Sequence, residues 1–389
     1  MLIALVSIFL ATALAYFVLI LLYWRGWTAL TNFTVKDTTI IRLPRISVVV
    51  AARNEAENLP ALLQSMAAQD YPAILWELIL VDDHSEDDTV AIAESFEYDN
   101  LHVIKMEGRL SGQINSYKKK ALETGIAAAS GELIVTTDAD CVAKSGWLTS
   151  IGSYYATHPG CMIVMPVHMN SEGGWMGIFQ QLDFMALQGI TGAATYWNIH
   201  GMCNGANLAY TRSAFFETGG FSGIDKKASG DDLMLLQKMN KQFGGGISYL
   251  KSTAAIVSTS PQKTFKDFLS QRIRWAGKAG NYPDATMLPV LLIVYLFNLL
   301  LLLLTLATIV KPTLHISSLP LTLPQLLCST ILIKTLLELF FLYPVAQFFG
   351  NTRSLFVFPL LQPLHVCYTV IAGALGLLPS YNWKGRKVR

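Results

Sequence analysis

The sequence predicts an α/β protein, a largely parallel sheet with helices on both faces, flanked by transmembrane helices. Three observations carry this. β-Branched apolar runs alternate with helical periodicities between residues 46 and 137. Long apolar segments stand at both ends of the 389-residue chain, and hydrophobic residues reach 52%. The interval between those segments holds nearly all the acidic residues and reads as an ordinary soluble domain.

The first segment, Leu2 to Trp24, has no charged side chain and is long enough to cross a bilayer. Ala13-Leu14-Ala15 resembles a cleavage site, but no basic residue precedes the apolar run and the run continues to Tyr23, so an uncleaved anchor over 1–24 is expected. Arg25, Lys36, Arg42 and Arg45 follow, and the positive-inside rule puts the next domain, 25–284, in the cytosol. In that domain, Ile46 to Ala52 reads as a buried strand. Glu57 to Gln69 has helical spacing, with Leu59, Leu62, Leu63 and Met66 on one face. Glu77 to Val81 is a second strand, and Ser85 with Asp88 marks a helix start. Leu101 to Met106 is a third strand, Lys118 to Ala129 a helix, and Glu132 to Thr137 a fourth strand. The half from Cys141 to Tyr282 is less regular, with loops at Gly173-Gly174, Gly219-Gly220 and Gly244-Gly245-Gly246.

Three apolar segments are expected within 285–379: Ala285 to Val310, Leu327 to Phe349, and Leu355 to Leu378. The second carries Lys334 and Glu338 at i,i+4, which reads as a pair facing another helix. Four spans would leave the tail, 380–389, outside, whereas Lys384, Arg386, Lys387 and Arg389 place it in the cytosol. A re-entrant start to the last segment, broken by Pro359 and Pro363, would reconcile the two.

Several classes are excluded or disfavoured. A net charge of +2, without a basic patch interleaved with aromatics, argues against nucleic-acid binding. Five scattered cysteines with no CxxC spacing argue against a disulfide framework or a zinc site and fit a reducing compartment.

The chemistry-bearing residues lie where strands end. Ligands of open α/β sheets bind outside the carboxyl ends of the strands, and Asn54-Glu55, Asp82-Asp83 and Asp138-Ala139-Asp140 all fall there. Asp138 and Asp140 can face Mg²⁺ or Mn²⁺, since hard cations take carboxylate and phosphate oxygens. Asp82 or Asp83 can hydrogen-bond a base or ribose, the competing role being a cap around Ser85. Among Lys118, Lys119 and Lys120, one can reach a phosphate or the base, and Lys119 is selected; at least one of the three reads as solvated charge. Gly230-Asp231-Asp232 precedes a helix, whose N-terminus favours carboxylates whatever their role; Asp232 suits a general base. Gln271, Arg274 and Trp275 lie on an amphipathic helix that, with Lys266, Arg272 and Lys278, suits a headgroup interface.

Taken in order, these stretches resemble the membrane-embedded branch of the family-2 glycosyltransferases. The matching segments run from Ile46 to Glu55, Glu77 to Asp83 and Gly131 to Asp140, followed by Gly230-Asp231-Asp232 and Gln271-x-x-Arg274-Trp275. The resemblance covers roughly Ile46 to Lys278. It implies a GT-A fold, a nucleotide-sugar donor, commonly a UDP-sugar, and inversion at the anomeric centre. Carried over by position, Asp83 or Asp82 contacts uridine, Asn54 and Glu55 line the same pocket, Asp138 sits near the nucleotide, and Asp140 binds the metal. Asp232 is the base, Asn207 and Asp231 meet the acceptor, and Gln271, Arg274 and Trp275 contact the diphosphate, Trp275 also the acceptor. Polysaccharide synthases of this branch carry more membrane helices, so a single transfer to a lipid is favoured over polymerisation. Ceramide glucosyltransferase-like enzymes and bacterial carotenoid or hopanoid glycosyltransferases share this economy. The expected location is the bacterial inner membrane, catalytic domain in the cytosol. The alternatives are a small processive synthase and, from another class, a nucleotide-binding membrane scaffold without turnover.

Overall fold

The computed structural model describes residues 2–35, 42–106, 116–171, 173–199, 201–224, 230–277, 286–313, 321–376, 381–383 and 386–388. Lys36, Lys278, Ala285, Lys384 and Arg389, used in the sequence reading, lie outside these residues.

The chain opens with α1 (Leu2–Ala29), which runs past the expected end at Trp24. It continues through β1 (Ile46–Ala52), α2 (Leu59–Ala67), β2 (Trp76–Asp82), α3 (Thr89–Ser95), β3 (Leu101–Lys105), α4 (Tyr117–Ala128) and β4 (Leu133–Thr136). Next come β5 (Val142–Ala143), α5 (Trp147–Thr157), β6 (Met162–Val164), β7 (Val167–Met169), α6 (Gly174–Trp197), β8 (Leu208–Thr211) and α7 (Arg212–Glu217). The last elements are α8 (Asp231–Phe243), β9 (Ile247–Tyr249), β10 (Val257–Thr259), α9 (Phe265–Ala276), α10 (Met287–Val310), α11 (Leu323–Phe349), α12 (Phe358–Gly376), β11 (Tyr381–Trp383) and β12 (Arg386–Val388). These pack as two compact units. A sheet unit comprises 30–170, 201–260 and 380–389; a helix unit comprises 1–29, 171–200 and 261–379.

In the sheet unit, seven strands run in the order β3-β2-β1-β4-β8-β6-β9. β1 pairs parallel with β2 and with β4, and β2 pairs parallel with β3. β8 is antiparallel to both β4 and β6. Every residue of β2 is buried, as expected of a strand covered on both faces. From β1 the chain moves outward to β2 and β3, then returns to the opposite side of β1 as β4. That reversal is a topological switch point, which opens a crevice at the carboxyl ends. Helix α3 begins at Thr89, four residues after the expected start: Asp87 Oδ1 accepts the Thr89 N–H at 3.1 Å, and Asp88 makes no side-chain cap.

In the helix unit, four helical segments are long and apolar enough to cross a membrane: Ala4–Ala29, Met287–Val310, Leu323–Phe349 and Thr352–Gly376. The last begins with a 3₁₀ segment, Thr352–Val357, and α12 continues unbroken through Pro363. Helices α6 and α9 belong to this unit. α6 has a polar interior that its neighbours answer: Gln180 donates to the Gln262 carbonyl at 3.0 Å and accepts the Gln262 N–H at 2.9 Å.

Candidate active site

Two loops leave the carboxyl edge of the sheet unit laced together. Asn54 stands at φ +51°, a left-handed conformation that Asn tolerates better than most residues. Its N–H donates to Ser85 Oγ at 2.9 Å, and its Oδ1 accepts the Glu86 N–H at 2.8 Å. The Glu55 N–H donates to Thr89 Oγ1 at 2.8 Å, and the Ala56 N–H to Asp87 Oδ2 at 3.1 Å. Asn54 thus acts here as a strut between the loops after β1 and β2, while the Glu55 carboxylate accepts from Asn58 at 2.8 Å.

Asp82 and Asp83 are both buried. Asp82 Oδ2 accepts the Ser85 N–H at 3.3 Å, and its Oδ1 is buried without a hydrogen-bond partner among the described residues. A buried orphan acceptor is costly in a finished structure and suits a site that receives a hydroxyl or N–H donor from a ligand. Asp83 lies 3.0 Å from His84 Nδ1. Burial raises its pKa, against the pull of His84 and Arg53. The cap role weighed for Asp82 is therefore half met: one oxygen holds the turn and the other does not.

The acids after β4 and at the start of α8 converge on one cation. Lys118 Nζ donates to Asp138 Oδ1 at 2.6 Å and sits 3.9 Å from Asp231 Oδ2. Burial opposes the Lys118 charge, but the carboxylates of Asp138, Asp231 and Asp232 outweigh it and hold the pKa well above the ordinary lysine range. Asp140 stands beside them. The protein packed around it, then the charges of Asp138 and Glu55, push its pKa up to about 6, against the pull of Lys118 and the Cys141 thiol. Asp138, Asp140, Asp231 and Asp232 thus share one ammonium, and the surplus charge is negative.

Sequence reasoning selected Lys119; the structure brings in Lys118. Lys119 shares a face of α4 with Leu122 and Ile126, is 2% exposed, and donates to the Ile224 carbonyl at 2.5 Å. The i+3 and i+7 spacing of those apolar residues from Lys119 was the available signal. Lys118, one residue or about 100° around the helix, points to the acids.

Gly230 at φ +84° makes the turn into α8, a conformation that disfavours any side chain. Asp232 Oδ2 accepts the Gly205 N–H at 3.0 Å, and Oδ1 accepts the Leu233 N–H at 2.7 Å. Two donors at a helix N-terminus fix the carboxylate. A small cavity lined by Thr136, Leu208, Tyr210, Asp231 and Asp232 adjoins it.

Asn207, expected from the resemblance to meet the acceptor, lies inside the sheet unit. It is fully buried, accepts from Trp147 Nε1 at 3.0 Å, and donates to the carbonyls of Pro166 and Ala255 at 2.7 and 2.8 Å. Its amide joins three segments of the core. Nearby, Asn204 Oδ1 holds the Ala206 N–H at 3.0 Å.

In the helix unit, α9 carries Gln271, Arg274 and Trp275. Thr264 caps it, accepting the Asp267 N–H at 3.1 Å and donating to the Asp267 carboxylate at 2.6 Å. Gln271 Oε1 is buried without a hydrogen-bond partner among the described residues. The Trp275 ring centroid lies 6.2 Å from that of Phe184.

Among the described residues, no group of three or more His, Cys, Asp or Glu residues is arranged to hold a metal by itself. The chemistry of the donor set nevertheless fits a hard dication. Asp138 and Asp140 offer carboxylate oxygens, and a cation would favour the charged form of Asp140 against the burial, and then the charges of Asp138 and Glu55, that raise its pKa.

Comparison with known proteins agrees with this architecture. Residues 47–231 match the family Glycosyl transferase family 2. The glycosyltransferase AglE of Haloferax volcanii is 38% identical over 108 residues, which cover 27% of this chain and 34% of that protein. The beta-monoglucosyldiacylglycerol synthase of Synechocystis is 29% identical over 123 residues, 31% of this chain and 25% of that one. The matched stretches therefore span about a third and a quarter of those relatives. Among solved structures, the mannosyltransferase PcManGT of Pyrobaculum calidifontis, in complex with GDP-Man and Mn²⁺, superposes with a TM-score of 0.57 at 18% identity. That alignment covers 96% of this chain and 97% of that one, and it identifies the fold as GT-A.

Proposed function

We propose that this protein is a membrane glycosyltransferase that moves a sugar from a nucleotide donor, a UDP-sugar, to the hydroxyl of a lipid, with inversion. The observation that carries the reading is the meeting of Asp138, Asp140, Asp231 and Asp232 around Lys118, at the carboxyl edge of a parallel sheet. The four span-length helices and the lipid-glycoside synthase among the relatives favour a lipid acceptor. Arg25 in the last part of α1, and Arg42 and Arg45 beyond it, favour a cytosolic catalytic unit, in a bacterial inner membrane.

The reaction is a single displacement. Asp232 takes the proton from the acceptor hydroxyl, whose oxygen forms the new bond to the anomeric carbon. The bond from that carbon to the diphosphate breaks with its electron pair, and the nucleoside diphosphate departs. Asp82 and Asp83 receive the nucleoside, with the Asp82 Oδ1 accepting a donor from it. Lys118 faces the negative charge of the diphosphate. Asp138 and Asp140 would hold Mg²⁺ or Mn²⁺, which neutralises charge on a departing diphosphate.

Membranes containing the protein, incubated with a panel of labelled nucleotide sugars, test this by mass spectrometry of the lipid extract. The expected product is one lipid bearing one sugar, of inverted configuration. Polymer from the purified protein would instead establish a processive synthase. No transfer from any donor would leave a nucleotide-binding scaffold.

A further inference from the structure

Arg272 occupies the second position of the QxxRW element and is the most enclosed residue of that stretch of α9. It is 4% exposed. Its guanidinium lies 4.3 Å from the Trp275 ring centroid and 4.9 Å from that of Phe268. The two aromatics stand at i+3 and i−4, the positions that meet on a helix face. A planar cation against an indole face is a favourable, orientation-dependent contact.

The cation is itself held. Arg272 Nη2 sits 2.6 Å from Asp183 Oδ2, and both side chains are almost wholly buried. Asp183 belongs to α6, and its other oxygen accepts the hydroxyl of Tyr368 from α12. Phe179, Phe268 and Tyr368 close around the pair, with ring centroids 5.4–5.7 Å apart. One chain of contacts therefore runs from α12 through α6 to the indole on α9: Tyr368, Asp183, Arg272, Trp275.

The geometry points to Arg272 as a positioning residue: anchored by Asp183 and Tyr368, it fixes the orientation of the Trp275 indole that meets the donor or acceptor. This rests on the functional reading of Trp275 given above. A buried ion pair that served stability alone would not need the guanidinium over that ring. Lysine separates the two roles, because it keeps the charge toward Asp183 and loses the plane.

The test uses the full chain in detergent or nanodiscs. The near-ultraviolet circular dichroism difference between wild type and Trp275→Phe isolates the Trp275 band. Arg272→Lys is expected to remove more than half of that band, and to lower kcat about tenfold with donor KM unchanged, as small misplacements of substrate-positioning groups do. In the Trp275→Phe background the same substitution is expected to cost nothing further in kcat. Tyr368→Phe gives the same pattern, weaker, and carries the comparison if Arg272→Lys does not fold. An unchanged Trp275 band, or an equal loss of kcat in both backgrounds, overturns the proposal. A wild type that transfers no sugar removes the functional reading, while the band still decides whether Arg272 sets the indole.

Discussion

One charged set in the sheet unit and one in the helix unit treat burial in opposite ways. In the helix unit, Lys334 donates to both Glu338 oxygens at 2.7 and 2.9 Å and to Gln362 Oε1 at 2.5 Å. Gln362 Nε2 and the Tyr16 hydroxyl then donate to Glu338. One cation meets one anion, and polar neighbours from α1 and α12 complete both. At the carboxyl edge of the sheet, four aspartates face one lysine, and an oxygen of Asp82 has no hydrogen-bond partner among the described residues. Buried polar groups are satisfied unless something else completes them. The closed set reads as architecture, and the open set as a place where a ligand supplies the missing charge and donors.

Substitution separates the two kinds. The largest effect belongs to Asp232→Asn. The amide keeps the size and the hydrogen bond from Gly205 but cannot take a proton, so kcat is expected to fall about 10³- to 10⁴-fold. Nucleotide affinity, measured by calorimetry, should stay within a few-fold. Turnover near wild type would remove Asp232 as the base and move the contrast elsewhere.

Next comes Lys334→Ala, which strands Glu338 among apolar helices. Leaving one charge of a buried pair without its partner costs about 3–5 kcal/mol, so the detergent-solubilised variant should unfold well below wild type. The double variant Lys334→Leu with Glu338→Leu should recover most of that loss. If the double variant is as damaged as the single, the pair does more than close its own charge.

Asn207→Ala is expected to act on the other side of the comparison from Asp232, although both were read from the sequence as site residues. It leaves the Trp147 indole N–H buried without an acceptor, at a cost of about 1–3 kcal/mol. Thermal stability should drop while acceptor KM holds. A raised acceptor KM with unchanged stability would restore the role expected from the sequence.

These cases mark what the sequence made legible. The strands β1, β2, β3 and β4 lie within a residue or so of their expected places, because unbroken β-branched runs leave little choice of structure and their polar ends fall at one edge. The acid cluster followed from those ends. Lys118 did not, because three consecutive lysines have the same composition and differ only in helical phase. Asn207 looked like a site residue because nothing local shows that Trp147, Pro166 and Ala255 close around it. The strands β6, β8 and β9 are three or four residues long and sit among glycines, too short for a period to declare itself. α6 carries buried Gln180, Gln181, Asp183 and Gln188, which interrupt an apolar stripe and find partners far away in the chain.

The smallest expected effect tests the same principle at a single group in the sheet unit. Lys251 is 7% exposed, and its amine donates to the Leu30 carbonyl at 3.1 Å. Burial lowers its pKa from 10.5 to about 8. Between those values the unfolded chain holds a proton that the folded chain has released, so stability rises with pH across that window. Below pH 8 the amine is charged in both states, and the burial penalty is fully present and constant. Lys251→Met removes the titrating group. The stability difference, wild type minus variant, should therefore climb from pH 8 to about 10.5 by on the order of 1 kcal/mol, and lie flat below. A difference that stays flat throughout would mean that the groups around Lys251 answer its charge as completely as Glu338 and Gln362 answer that of Lys334.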